Sequence, residues 1–134
     1  MKLLLDTHAL LWWAHDPARL SSDAHNAISD GENEIYVSPV SAMEITTKTR
    51  KGKLEFHSDL SSRFVEEVTV MGFGIVPVGG AHAALAANYP TANQDPWDRL
   101  LAAQAQIEDL MLVSCDRRMP EFGAKLFWDR GAKA

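Results

Sequence analysis

A chain of 134 residues suits one domain, because two would each sit near the lower size limit for a stable core. Its 46% hydrophobic and 23% charged content supports a sizeable core, and no apolar run approaches the about 20 residues of a membrane span. The net charge of −5 argues against a simple nucleic-acid binder but leaves a nuclease open, since metal-binding carboxylates count as negative until cations neutralise them.

Residues 2–5 (Lys-Leu-Leu-Leu) read as a short buried strand ending at Asp6. A helix follows from Thr7 to about His15, stopped by Asp16-Pro17. Ser21-Ser22-Asp23 caps a second helix expected to end at Gly31, and Ile35-Tyr36-Val37 is the next strand. Ser38-Pro39 is an N-cap followed by proline at the first helical position, opening a helix toward Gly52. Phe64, Val65 and Val68 have helical spacing in a helix expected from residue 58 or 59 to about 71. Residues 73–78 read as a third strand and 81–88 as a short helix. Asp95-Pro96 opens a helix to about Asp109, with Trp97, Leu101 and Ala105 on one side. Residues 111–114 form a fourth strand, and Leu126-Phe127-Trp128 adds an edge strand. Strands alternating with helices predict one α/β domain over residues 1–134, with a mainly parallel central sheet flanked by helices.

Cys115 is the single cysteine and forms no internal disulfide, which agrees with a reducing compartment; its apolar setting predicts a buried strand residue. No signal-peptide pattern is visible, so a cytoplasmic protein is expected.

In open α/β sheets, ligands bind beyond the carboxyl ends of the strands. Asp6 follows the first strand there and Asp116 the fourth, while Glu44 and Asp98 lie early in helices that start near the same edge. Four carboxylates brought together repel one another unless a counter-ion is present. Mg²⁺ or Mn²⁺ prefers oxygen ligands and supplies phosphodiester hydrolysis, so these four residues are the expected metal ligands and catalytic groups. Each also has a plainer reading: Asp6 as a strand-end turn, Glu44 as the end of a capping box begun by Ser41, Asp98 as a carboxylate in a helix's first turn, Asp116 as a loop residue. Asp95, directly before proline, is expected to be an N-cap rather than a ligand. Their joint placement carries the case.

Lys48, Arg50, Lys51 and Lys53 form a basic run, and Arg99, Arg117 and Arg118 flank two of the acids. Phosphate positioning is the functional reading, for Arg99 and Lys48 above all; helix-end and loop charges are the plainer one. His8 reads as structural, and Gly79-Gly80 lacks the pattern of a phosphate loop. Leu10-Leu11-Trp12-Trp13 would cover most of a helix circumference, which leaves one tryptophan facing outward unless the helix is buried all round.

Leu5-Asp6-Thr7-His8-Ala9-Leu10-Leu11-Trp12-Trp13 resembles the opening of bacterial PIN-domain toxins of the VapC type. Val40-Ser41-Ala42-Met43-Glu44-Ile45, with Lys48 and Gly52-Lys53-Leu54, resembles their second motif. The segment from Asp95-Pro96-Trp97-Asp98-Arg99 to Ala105 resembles the third, and Val113-Ser114-Cys115-Asp116 the fourth. The resemblance implies a three-layer PIN-like fold and a Mg²⁺-dependent endoribonuclease, with Asp6, Glu44, Asp98 and Asp116 on the metal and Ser114 supporting them. It also implies structured RNA as substrate, an antitoxin partner and a homodimer, and the apolar run of the first helix predicts that the antitoxin packs along it. Trp97 stands where the family often has phenylalanine, and Asn93 where histidine often precedes the motif; both changes are expected to affect packing or loop contacts rather than the ligands. The competing readings are a Mg²⁺-binding phospho-receiver-like signalling domain and a catalytically silent PIN-fold binding module.

Overall fold

The computed structural model describes residues 1–55 and 57–128. Five parallel strands form its sheet in the order β3-β2-β1-β4-β5: β1 (Lys2–Leu5), β2 (Glu34–Val37), β3 (Gly74–Ile75), β4 (Met111–Val113) and β5 (Leu126–Phe127). Parallel strands need crossovers, and helices supply them: α1 (Thr7–His15), α2 (Ser22–Ser29), α3 (Pro39–Arg50), α4 (Phe64–Val70), α5 (Gly80–Asn88) and α6 (Pro96–Ile107). The α/β architecture is therefore the one expected.

The pleat divides the core. Leu3 and Leu5 point to one face with Val37, Val113 and α1 residues Ala9, Leu10 and Leu11. Leu4 points to the other with Leu112 and α6 residues Leu101, Ala102 and Ala105. All three β1 leucines are fully buried, as a central strand covered on both faces requires. Helix α3 serves both layers, Ile45 in the first and Val40 in the second.

Helix ends follow local chemistry. Ser38 caps α3 by accepting from Val40 N–H, with Pro39 inside the first turn, and this removes the capping-box reading of Ser41 and Glu44. Gly52, at φ 67°, stops α3 by letting its own N–H reach Thr49 O and Lys53 N–H reach Lys48 O. Asp109 does the same for α6 at φ 55°, so that helix stops at Ile107.

Three elements and one residue differ from expectation. Helix α2 stops at Ser29 rather than Gly31, because the Asp30 carboxylate turns back to accept from Glu32 N–H. The helix expected from residue 58 is split. Ser58 caps a 3-10 turn over Asp59–Ser61, and α4 begins only at Phe64. Strand β3 is two residues long; Val76 N–H still reaches Val37 O, but Pro77 has no N–H to continue the ladder. Cys115 lies past the end of β4 and is exposed, which overturns the buried-strand reading.

Neither tryptophan of α1 stands clear of the protein. Trp12 packs among His8, Trp128 and the Arg19 guanidinium, and Trp13 between His25 and Phe73. Both are half-buried against the first core layer, so the outward-facing tryptophan expected from the sequence is not found. Among the described residues no helix is long and apolar enough to cross a membrane.

Candidate functional site

The strand order reverses direction between β1 and β4, since β2 and β3 lie to one side of β1 and β4 and β5 to the other. A crevice opens at such a point, beyond the carboxyl ends of the two strands. Leu5 pairs with Val113 there, and Asp6 N–H donates to Val113 O at 3.1 Å. Asp6 and Ser114 therefore leave the sheet side by side. Asp6 becomes the N-cap of α1, its Oδ1 accepting from Ala9 N–H at 2.8 Å. The buried Ser114 hydroxyl hydrogen-bonds the Asp6 carboxylate and accepts from Asp116 N–H at 3.1 Å. One serine thus ties the first acid to the loop of the last.

Glu44 reaches the same edge from α3. Thr7 Oγ1 and Ser41 Oγ meet at 2.9 Å in the interior, which locks the start of α1 to α3. Glu44 is buried, and its Oε2 accepts from Lys48 Nζ at 2.8 Å, one turn further along. Asp98 arrives from the start of α6. Asp95 is its N-cap, accepting from Trp97 and Asp98 N–H, as the Asp-Pro pair predicts. Asp98 Oδ2 accepts from Asn93 Nδ2 at 3.2 Å, so the residue expected to touch only the loop touches an acid directly.

The acids stand as two pairs rather than one knot. Asp6 and Glu44 repel each other, as do Asp98 and Asp116. Arg118 bridges the second pair, with Nη2 at 3.1 Å from Asp116 Oδ2 and 3.5 Å from Asp98 Oδ2. Among the described residues no three His, Cys, Asp or Glu side chains are drawn closely enough together to grip a metal ion as they stand. The four expected ligands thus share one edge of the sheet as two pairs.

The electrostatics mark an edge with too little positive charge. Burial pushes the Asp6 carboxyl up, against the hydrogen bonds from Ser114 and Ala9. Burial likewise pushes Asp98 up to about 6, with Asp95 and Asp116 adding to it and Asn93 and Arg118 opposing. Burial also acts upward on Asp116, but its hydrogen bonds and charge pairing with Arg118 win and hold it below the usual range. In the unfolded chain Asp98 ionises near 3.8, so the native state holds an extra proton between about 3.8 and 6. The stability this supplies is complete below 3.8 and is lost as pH rises through about 6. In EDTA, Asp98→Asn should therefore gain on wild type between pH 5 and 7.5, by on the order of 1–2 kcal/mol. Thermal melts at both pH values check this; a gap that does not change with pH would contradict it.

One further expectation changes. Arg99 is buried, and its guanidinium donates to three backbone carbonyls: Ala86 O at 2.8 Å, Asn93 O at 2.8 Å and Thr91 O at 3.0 Å. These bonds hold the loop before α6, which counts against the substrate-binding role expected of Arg99. His8 is exposed, with its ring 5.7 Å from that of Trp12. Helical or strand spacing held no signal for the Asn93 and Arg118 contacts, because both side chains lie on irregular backbone outside the helices and strands. Of the basic run, Arg50, Lys51 and Lys53 are exposed, and Lys48 turns to an acid, Glu44. A cleft of about 630 Å³ between Trp13, Asp30, Glu34, Phe73 and Gly74 opens at the amino ends of β2 and β3, away from these acids.

A receiver-like domain would place its strands in the order 2-1-3-4-5; this sheet runs 3-2-1-4-5. Residues 3–125 match the PIN domain family. The chain is 32% identical over 121 residues to Ribonuclease VapC22 of Mycobacterium tuberculosis (strain ATCC 25618 / H37Rv), covering 87% of this chain and 88% of that protein. Its fold is similar to that of FitAcB from Neisseria gonorrhoeae, at a TM-score of 0.67 and 18% identity over 93% of this chain and 96% of that one. It is also similar to VapBC2 from Rickettsia felis bound to a DNA fragment from their promoter, at 0.64 and 16% over 96% of this chain and 100% of that one. The chain belongs to the PIN-domain family, and the receiver-like reading is set aside.

Proposed function

We propose that this chain is a Mg²⁺-dependent endoribonuclease, with Mn²⁺ able to substitute, and that it acts as the toxin of a toxin–antitoxin pair. What supports the reading is the pairing of Asp6 with Glu44 and of Asp98 with Asp116 along the sheet edge where the strand order reverses, with two of the four carboxyls pushed up by burial. The donor set fits a hard divalent cation: every candidate ligand is a carboxylate oxygen, and the excess negative charge lacks a full complement of cations. Asp6, Glu44, Asp98 and Asp116 would hold the ion. A bound divalent ion polarises a phosphodiester, eases deprotonation of the attacking water and stabilises the leaving oxygen.

The chain's own residues do the positioning. Ser114 orients Asp6, Asn93 orients Asp98, and Lys48 holds Glu44 in its rotamer. Lys48 is also the basic side chain on α3 best placed to meet a substrate phosphate. In the hydrolysis, water attacks phosphorus in line and the P–O bond to the leaving nucleoside breaks. The kinship with a protein named as a ribonuclease supports RNA as the substrate. Structural likeness to VapBC2 supports an antitoxin as partner, and a homodimer and a cytoplasmic setting complete the proposal. Pure protein incubated with structured RNA should cleave it at few sites in Mg²⁺ and not in EDTA. Cleavage that survives EDTA, or intact RNA in Mg²⁺ and Mn²⁺ alike, would overturn this function.

A further inference from the structure

Each acidic pair carries a cation from the chain itself, and the two are held differently. Lys48 meets Glu44 along one helix, four residues apart, in a contact set by the rigid backbone of α3. Arg118 lies on the exposed turn after β4, just before the 3-10 helix Met119–Phe122, and 58% of its side chain is open to solvent. Its fork takes both oxygens of Asp116, Nε on Oδ1 at 3.3 Å and Nη2 on Oδ2 at 3.1 Å. Nη2 also reaches Asp98 Oδ2 at 3.5 Å, and the Arg118 backbone N–H donates to Asp116 Oδ1 at 2.9 Å. The guanidinium thus covers carboxylate oxygens that a metal ion would need.

We propose that Arg118 is a resident counter-cation: it neutralises Asp98 and Asp116 while the site is free of metal, and is displaced onto an RNA phosphate when a divalent ion binds. The inference rests on the ribonuclease reading above and adds a positioning residue to it. A guanidinium and a divalent cation compete for the same lone pairs and repel each other, so entry of the ion turns Arg118 outward. The backbone N–H bond to Asp116 Oδ1 does not depend on the side chain, so the turn keeps its shape while the long side chain swings. Once released, the planar fork matches a phosphate in two-point contact. Arg99 is not free to serve there, because it is buried and its Nε, Nη1 and Nη2 each hold a backbone carbonyl.

The test measures Mn²⁺ affinity by calorimetry on the full chain, comparing wild type with Arg118→Gln, Asp98→Asn and Lys125→Gln. Lys125 pairs with Asp109, both exposed and away from the acids, and its variant removes one positive charge without touching the site. Arg118→Gln should tighten Mn²⁺ by on the order of three- to tenfold, the strength of one partly exposed ion pair, while Lys125→Gln stays at wild type. With Ca²⁺ bound, Arg118→Gln should hold a short single-stranded RNA more weakly. Its slope of log K against log salt should be shallower by about 0.7, one phosphate contact. Unchanged or weaker Mn²⁺ binding in Arg118→Gln, with binding lost in Asp98→Asn, overturns this proposal alone. Mn²⁺ binding that survives Asp98→Asn overturns the site itself, and the proposal with it.

Discussion

Asp98→Asn should lower Mg²⁺-dependent RNA cleavage by about 10²–10³-fold while leaving a folded protein, and Glu44→Gln and Asp6→Asn should do the same. The substitutions preserve shape and remove only charge. Asn at position 6 keeps an oxygen for Ala9 N–H, so the α1 cap survives with it. Asp95→Asn is the internal control, because Asp95 spends Oδ1 on Trp97 and Asp98 N–H and an amide oxygen caps almost as well. Its activity should stay within about threefold of wild type. Single-turnover cleavage of one RNA by all four variants, with circular dichroism to verify folding, decides the matter. A dead Asp95→Asn beside an active Asp98→Asn would reverse the assignment of the two acids.

Arg99→Met should cost about 3–5 kcal/mol and lower the melting temperature by on the order of 10–20 °C. Methionine fills much of the volume but leaves the carbonyls of Ala86, Thr91 and Asn93 without their donor in a largely buried setting. Arg99→Lys should recover less than half of the loss, because an ammonium is a point donor and cannot span three divergent acceptors. Since Asn93 both takes Arg99 and orients Asp98, cleavage should fall too, in step with the loosened loop. Urea denaturation of the three proteins checks the stability claim. A normally stable Arg99→Lys protein with weakened, salt-sensitive RNA binding would restore the phosphate-positioning role instead.

Period and punctuation in the chain sufficed for the alternation of strands and helices. Leu3-Leu4-Leu5 could only be a strand buried on both faces, and Ser38-Pro39 and Asp95-Pro96 carry cap and proline in adjacent positions. These signals are local: a capping side chain acts within three residues, and a pleat acts on every second one. The acidic edge was legible by the same logic, because a parallel sheet brings all its carboxyl ends to one side once the strands are known.

What the tertiary structure alone decided is which charge meets which. Arg99 and Arg118 are indistinguishable as basic residues flanking an acid, yet one is buried on three carbonyls and the other bridges Asp98 and Asp116 in solvent. The fate of Cys115 turned on where β4 stops, and that of Trp12 and Trp13 on Trp128, Phe73 and the Arg19 turn. The split of the acids into two pairs has the same origin. Electrostatic and packing energies depend on distances between groups remote in the chain, and no periodicity within the sequence encodes those distances.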